Sequence, residues 1–187
     1  MSKRLVSGVT LIELILALVL VGVVIMTGLS MELGMRRVHS TVDIEAQLLM
    51  EAAPIISMIA RDINRGIGCL KCTSPAYPVA YSFSAPNNVI YYDSNENHQR
   101  DAGDRGANYR YTSGTGTLDY TRNYPGGSYL VLSNKVAEFS IAPPPVNGNG
   151  ASVITLRLRN NPAQAASYAN PEILVTSGAQ FRECSIS

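Results

Sequence analysis

Three cysteines, two histidines and no tryptophan are spread over 187 residues. Each scarcity excludes something. A closed zinc site takes four ligands, usually as two spaced pairs, and beyond Cys69 and Cys72 only Cys184, His39 and His98 remain, scattered along the chain. A haem attachment needs His directly after the second cysteine, where Thr73 stands, and a thioredoxin-like redox site needs a βαβ pattern that is missing. No Gly-x-Ser-x-Gly, Walker loop or His-Glu-x-x-His occurs, so no enzyme is expected. A strong charge of one sign is lacking as well. The formal net charge is +1, which suits neither a basic nucleic-acid binder nor an acidic tail protein. The ten tyrosines could stack on bases, but half-buried strand positions account for them, and no nucleic-acid partner is expected.

What the chain does have begins at its first residues. A short basic piece, MSKRLVSG, leads into VTLIELILALVLVGVVIMTGLSM. Residues 14–31 carry no charge, and a helix needs ~20 such residues to cross ~30 Å of hydrocarbon. Lys3 and Arg4 precede the run, which places the N-terminus in the cytoplasm and exports the rest of the chain. Without those two, 13 basic side chains stand against 14 acidic ones, a formal charge of −1. A secretory signal carries its small-residue cleavage site after the apolar run. Here the small residue, Gly8, comes before it. An uncleaved signal anchor would explain the run by itself. Glu13 does not fit that reading, because a carboxylate inside an apolar stretch is costly unless paired. A cut after Gly8 makes Val9 the first residue and puts Glu13 fifth, one helical turn on.

Gly22 and Gly28 interrupt the apolar helix, and small residues there allow close helix packing. Beyond Met31 the pattern turns amphipathic. Val38, Val42, Ala46, Leu49, Ala53, Ile56, Ala60 and Ile63 recur at three- to four-residue spacing, which predicts one helix face packed on a globular domain. Arg36, Arg37, Asp43, Arg61, Asp62 and Arg65 fall mostly elsewhere and are expected on a solvated face. Pro54 predicts a kink or break just before it, and Gly66 a helix C-cap.

After Gly68 the chain reads as strands over 79–83, 89–93, 109–112, 117–121, 129–132, 136–141, 153–158 and 173–176. Clusters such as Ala85-Pro86-Asn87-Asn88, Ser113-Gly114 and Pro125-Gly126-Gly127 separate many of them. A long N-terminal helix followed by a run of strands predicts an α+β fold, the helix packed on an antiparallel sheet. The expected divisions are a leader over 1–8, an apolar membrane helix over 9–31, an amphipathic stalk helix over 32–66 and a β-rich domain over 67–187. The region after residue 40 is rich in Tyr, Asn, Ser, Thr and Gly and poor in Lys, which suits an extracytoplasmic site where a disulfide persists. Three cysteines allow at most one internal pair: within Cys69-Leu70-Lys71-Cys72, or from one of these to Cys184. The run from Asp93 to Asp101 spaces oxygen ligands at Asp93, Asn95, Asn97 and Asp101, like the start of a calcium loop. His98 stands where such a loop has Gly, and Asp104 where it has Glu; a solvated polar loop accounts for the same residues. No other cofactor is expected.

Gly8-Val9-Thr10-Leu11-Ile12-Glu13-Leu14 resembles the class III signal of type IV pilins and pseudopilins. The resemblance implies cleavage after Gly8 by a prepilin peptidase, N-methylation of Val9, and a role for Glu13 in assembly with other pilin or pseudopilin subunits. Its carboxylate would pair with the N-terminal amine of a neighbouring subunit, so that two buried charges neutralise and fix register. The family usually has Phe where this chain has Val9. Further on, Arg61-Asp62-Ile63-Asn64-Arg65-Gly66-Ile67-Gly68-Cys69 is similar to a segment of PilW-type minor pilins, and J-type minor pseudopilins of type II secretion share much of the pattern. The implied course is single-pass residence in the inner membrane, N-terminus inside, followed by entry into a pilus or a secretion pseudopilus. A membrane-anchored binding domain that never polymerises is the contrasting expectation.

Overall fold

The computed structural model describes residues 10–66, 81–92, 103–144 and 151–181. They form an α+β fold: one long helix, α1 (Leu11–Arg65), then eight strands. The strands are β1 (Tyr81–Ser84), β2 (Asn87–Tyr91), β3 (Gly106–Thr112), β4 (Thr117–Tyr124), β5 (Leu130–Ser133), β6 (Val136–Ala142), β7 (Ser152–Arg159) and β8 (Glu172–Ala179). All eight expected strands are present, with ends shifted by up to three residues. They make two antiparallel meanders, a five-stranded sheet ordered β1-β2-β3-β4-β5 and a three-stranded sheet ordered β6-β7-β8. Two compact units result, Met1–Val42 and Asp43–Ser187.

In the second unit, 43–65 of α1 lies against the sheets. Leu48, Ala52, Ile55, Ile56, Ile59 and Ile63 are buried on it and join one core with Ile90, Tyr109, Leu118, Phe139, Ile154, Leu156 and Leu158. On β7 the inward side chains Ile154, Leu156 and Leu158 alternate with outward Thr155, Arg157 and Arg159, the period-two pattern of a half-buried strand. Each fully buried aliphatic side chain contributes about 1.5–3 kcal/mol relative to exposure. The five Leu and Ile side chains on this helix face therefore hold this half of α1 far more firmly than helix propensity does.

The packed face differs from the expected one. Val38, Val42, Ala46, Leu49 and Ala53 are exposed, and the buried stripe runs instead through positions beside them. Ile56 and Ile63 belong to both sets, so the true stripe is the predicted one rotated around the helix. Leu49 and Met50, more than half exposed, mislead any reading based on apolarity alone. Asp62 is a second correction. It is buried, not solvated, because it shares the turn of Ile59 and Ile63 that faces the sheet. Pro54, where a kink or break was the expectation, lies inside a helix that runs on without a break. Pro54 and Met50 both lie on the exposed side. The carbonyl that loses its partner is that of Met50, four residues earlier, and solvent can satisfy it there.

Gly66 ends the helix as expected, its N–H donating to the Asp62 and Ile63 carbonyls at 2.9 and 3.1 Å. The reason for glycine is space rather than a left-handed backbone, since a Cβ would meet Ile90 Cγ2 at 2.8 Å. Gly116 is the contrasting case. It closes the β3–β4 turn with φ +66°, a conformation that favours glycine, and its N–H donates to the Thr112 carbonyl at 2.9 Å.

Candidate functional site

The segment from Thr10 to Val42 is the part of the chain whose side chains serve no core of its own. Leu11, Ile12, Leu14, Ile15, Leu16, Leu18, Val19 and their successors are all at least half exposed. This part of α1 is long and apolar enough to cross a membrane, and it lies near the N-terminus, as a membrane anchor or a signal sequence does. Two hydroxyls inside its apolar run are satisfied within the helix. Thr27 Oγ1 donates to the Val23 and Val24 carbonyls at 2.9 Å, and Ser30 Oγ to the Met26 carbonyl at 2.8 Å. Such back-bonding lets a hydroxyl sit in hydrocarbon without a lost hydrogen bond. Gly22 and Gly28 have no atom within 4 Å of a built Cβ, so no packing partner for them comes from this chain's described residues.

Glu13 starts this segment and is held by a neighbour that sequence reasoning overlooked. Thr10 is the helix N-cap. Its backbone N–H and its hydroxyl both donate to Glu13 Oε2 at 2.9 Å, while the Glu13 N–H reaches Thr10 Oγ1 at 3.4 Å. Thr-x-x-Glu with this reciprocal bonding is a capping box, which satisfies donors that the first helical turn leaves orphaned. The signal was legible: Thr10 stands three residues before Glu13 and just ahead of the apolar run. Gly8 and Val9, the expected processing site, lie outside the described residues.

A second polar feature lies under the sheet. Tyr109, fully buried on β3, donates its hydroxyl to Asp62 Oδ2 at 2.6 Å. Burial first, and then the Asp62 charge, push the Tyr109 hydroxyl well above the usual tyrosine range. The same two causes raise Tyr92 and Tyr120. Asp62 thus ties α1 to the five-stranded sheet; farther up the helix, Lys135 Nζ reaches Glu51 Oε2 at 3.3 Å.

The outward face of β6–β8 carries a charge ladder. Arg157 bridges Glu138 and Glu172 at 2.9 and 2.7 Å, and Arg159 also pairs with Glu172. Burial opposes charge on Glu172, but hydrogen bonds from Arg159 and Arg157 outweigh it and hold its carboxyl below the usual range. On the five-stranded sheet, Arg110 pairs with Asp119 at 2.8 Å and lies 4.0 Å over the Tyr129 ring. These pairs satisfy charge across strands rather than gather it around a ligand.

The calcium candidates Asp93, Asn95, Asn97 and Asp101, and the disulfide candidates Cys69, Cys72 and Cys184, lie outside the described residues. Among the described residues no group of three or more His, Cys, Asp or Glu is placed to hold a metal. Compared with protein families, curated proteins and solved structures, the chain matches none. The long apolar helix packed on antiparallel sheets is a pilin-like architecture in its own right.

Proposed function

We propose that this chain is a minor subunit of a type IV pilus, of the PilW type, cut after Gly8 and carried into the filament by its apolar helix. The observation that carries the reading is a single helix with two uses. Its C-terminal part completes a folded α+β unit, while its N-terminal part leaves an unbroken apolar surface with a carboxylate at its start. A surface of that kind needs first a membrane and then other helices. The partners are a prepilin peptidase, the inner membrane and neighbouring subunits, and the role is structural rather than catalytic. Glu13 would exchange its bonds to Thr10 for the amine of a neighbour. A J-type pseudopilin of a secretion pseudopilus would use the same helix, and the genes beside this one separate the two systems.

The capping box favours a second reading, in which Glu13 only caps the helix of a plain membrane anchor. Mass spectrometry of the chain from cells separates the two. A mature chain starting at Val9 supports the filament subunit, and a chain retaining Met1 sinks it.

A further inference from the structure

β7 and β8 need little to join them. Arg159 and Glu172, at the adjoining ends of the two strands, stand opposite each other, and a two-residue turn closes such a hairpin. The chain places residues 160–171 there instead. Compact surface loops of about 6–16 residues with adjacent ends, packed by their own side chains, recur at functional positions. This loop meets each condition. Asn170 is buried. Its amide Nδ2 donates to the Asn161, Gln164 and Ala165 carbonyls at 2.9, 3.3 and 3.1 Å, and its Oδ1 accepts from the Asn161 N–H at 2.7 Å. Arg159 Nη1 donates to the Gln164 carbonyl at 2.9 Å, and Pro162 seats against Gly116 in the β3–β4 turn, leaving no room for a Cβ there. Residues 163–169 are nevertheless all exposed. Ser167 and Asn170 exchange backbone hydrogen bonds at 3.0 Å in both directions, so Tyr168 and Ala169 form the apex of a tight turn. The staple thus holds out one aromatic ring, that of Tyr168, 86% exposed.

Ordering a loop costs conformational entropy, which a plain two-residue connection avoids. Internal order does help binding, because a loop already fixed in shape loses less freedom when it docks. Composition indicates the partner. No charge occurs from Asn160 to Pro171, and the ring is flanked by Ala, Ser, Gln and Asn. Nucleic acid calls for basic groups, which this loop lacks. Tyrosine offers a large, stiff, amphipathic contact, and Ser and Asn adaptable hydrogen bonds; the centres of protein interfaces are depleted of charge and enriched in Tyr. A tip limited to residues 163–169 falls well short of the roughly 20–30 residues a side in a stable free-standing interface. Its partner must therefore be tethered nearby, where high effective concentration sustains a small contact. We propose that this loop is a docking tip that inserts Tyr168 into a neutral pocket on the exported domain of another filament subunit, held alongside by its own apolar helix. The choice of a subunit rests on the function proposed above; the preformed tip does not.

The test replaces Tyr168 of the full-length chain with the photo-crosslinker p-benzoylphenylalanine in cells. The control carries it in place of Leu130, exposed on β5. The expected result is one discrete protein product from position 168 that position 130 does not give. Mass spectrometry should show its second chain to have its own Gly-x-x-x-x-Glu leader and apolar run. Adding Asn170→Ala, which removes the staple but keeps the probe, should cut that product several-fold. Tyr168→Ala, at an exposed site that folding does not use, should lower co-purification of the identified chain at least about tenfold. No protein product at 168, a glycan product, equal products at 168 and 130, or a partner without such a leader overturns the proposal, as does unchanged co-purification of Tyr168→Ala. The mature N-terminus in the same sample separates the two claims. A start at Val9 with no product at 168 removes the docking tip and leaves the filament reading standing. An intact Met1 overturns the filament reading and, with it, this choice of partner.

Discussion

The two parts of α1 are built from the same kinds of residue and end in opposite surroundings. Over 10–40 every side chain is exposed, yet most are Leu, Val, Ile and Met. Over 43–65 apolar residues are fewer, yet Leu48, Ile59 and Ile63 are completely buried. Hydrophobicity alone therefore does not locate a core. What separates the two is periodicity: the second part offers one apolar stripe that a sheet can cover, while the first is apolar all round and suits a surrounding apolar medium.

The largest test of that contrast is a pair of truncations on one helix. Ile59→Ala should cost the folded unit about 2–5 kcal/mol, whereas Leu49→Ala should stay within about 0.5 kcal/mol, as exposed positions do. Urea unfolding of the chain in detergent reads both. Equal losses at the two positions would break the assignment of the buried face. Tyr109→Phe comes next. It removes the donor to Asp62 Oδ2 and leaves a buried carboxylate short of a partner, so a loss of about 1–3 kcal/mol is expected. Val21→Ala, in the exposed part, should leave the same unfolding curve unmoved. The remaining test is a pH slope. Tyr92, Tyr109 and Tyr120 keep their protons in the folded chain at pH values where unfolded tyrosine, with a pKa of about 10, loses them. The folded state then binds more protons than the unfolded one, so stability is whole below pH ~10 and falls as pH rises past it. A flat profile to pH 11 would contradict the burial of these hydroxyls.

The strands were legible because each pairs an alternating pattern with turn residues at its ends, as in Ile154-Thr155-Leu156-Arg157-Leu158. The buried helix face was not. Leu49 and Met50 are apolar but exposed, Asp62 is charged but buried, and only the position of the sheet decides which side of the helix counts. The cap at Thr10 is legible in the three-residue spacing of Thr10 and Glu13, although the charge of Glu13 inside an apolar run is the more conspicuous signal. The fit of Gly66 against Ile90 and Phe181 depends on residues distant in sequence, which no local pattern encodes.

Glu13 is where the two proposed uses of the N-terminal segment part company, and one substitution separates them. Gln at N3 preserves a capping box, since its amide oxygen still accepts from Thr10, but it carries no charge. The measurement is the share of full-length Glu13→Gln chain recovered with sheared filaments, compared with the unaltered chain at equal membrane levels. A subunit that enters the filament by charge pairing predicts normal membrane insertion and a loss of at least ten-fold in the filament fraction, about 1.4 kcal/mol or more. Recovery of Glu13→Gln at the unaltered level would contradict it, leaving Glu13 as a helix cap and the chain as a membrane anchor.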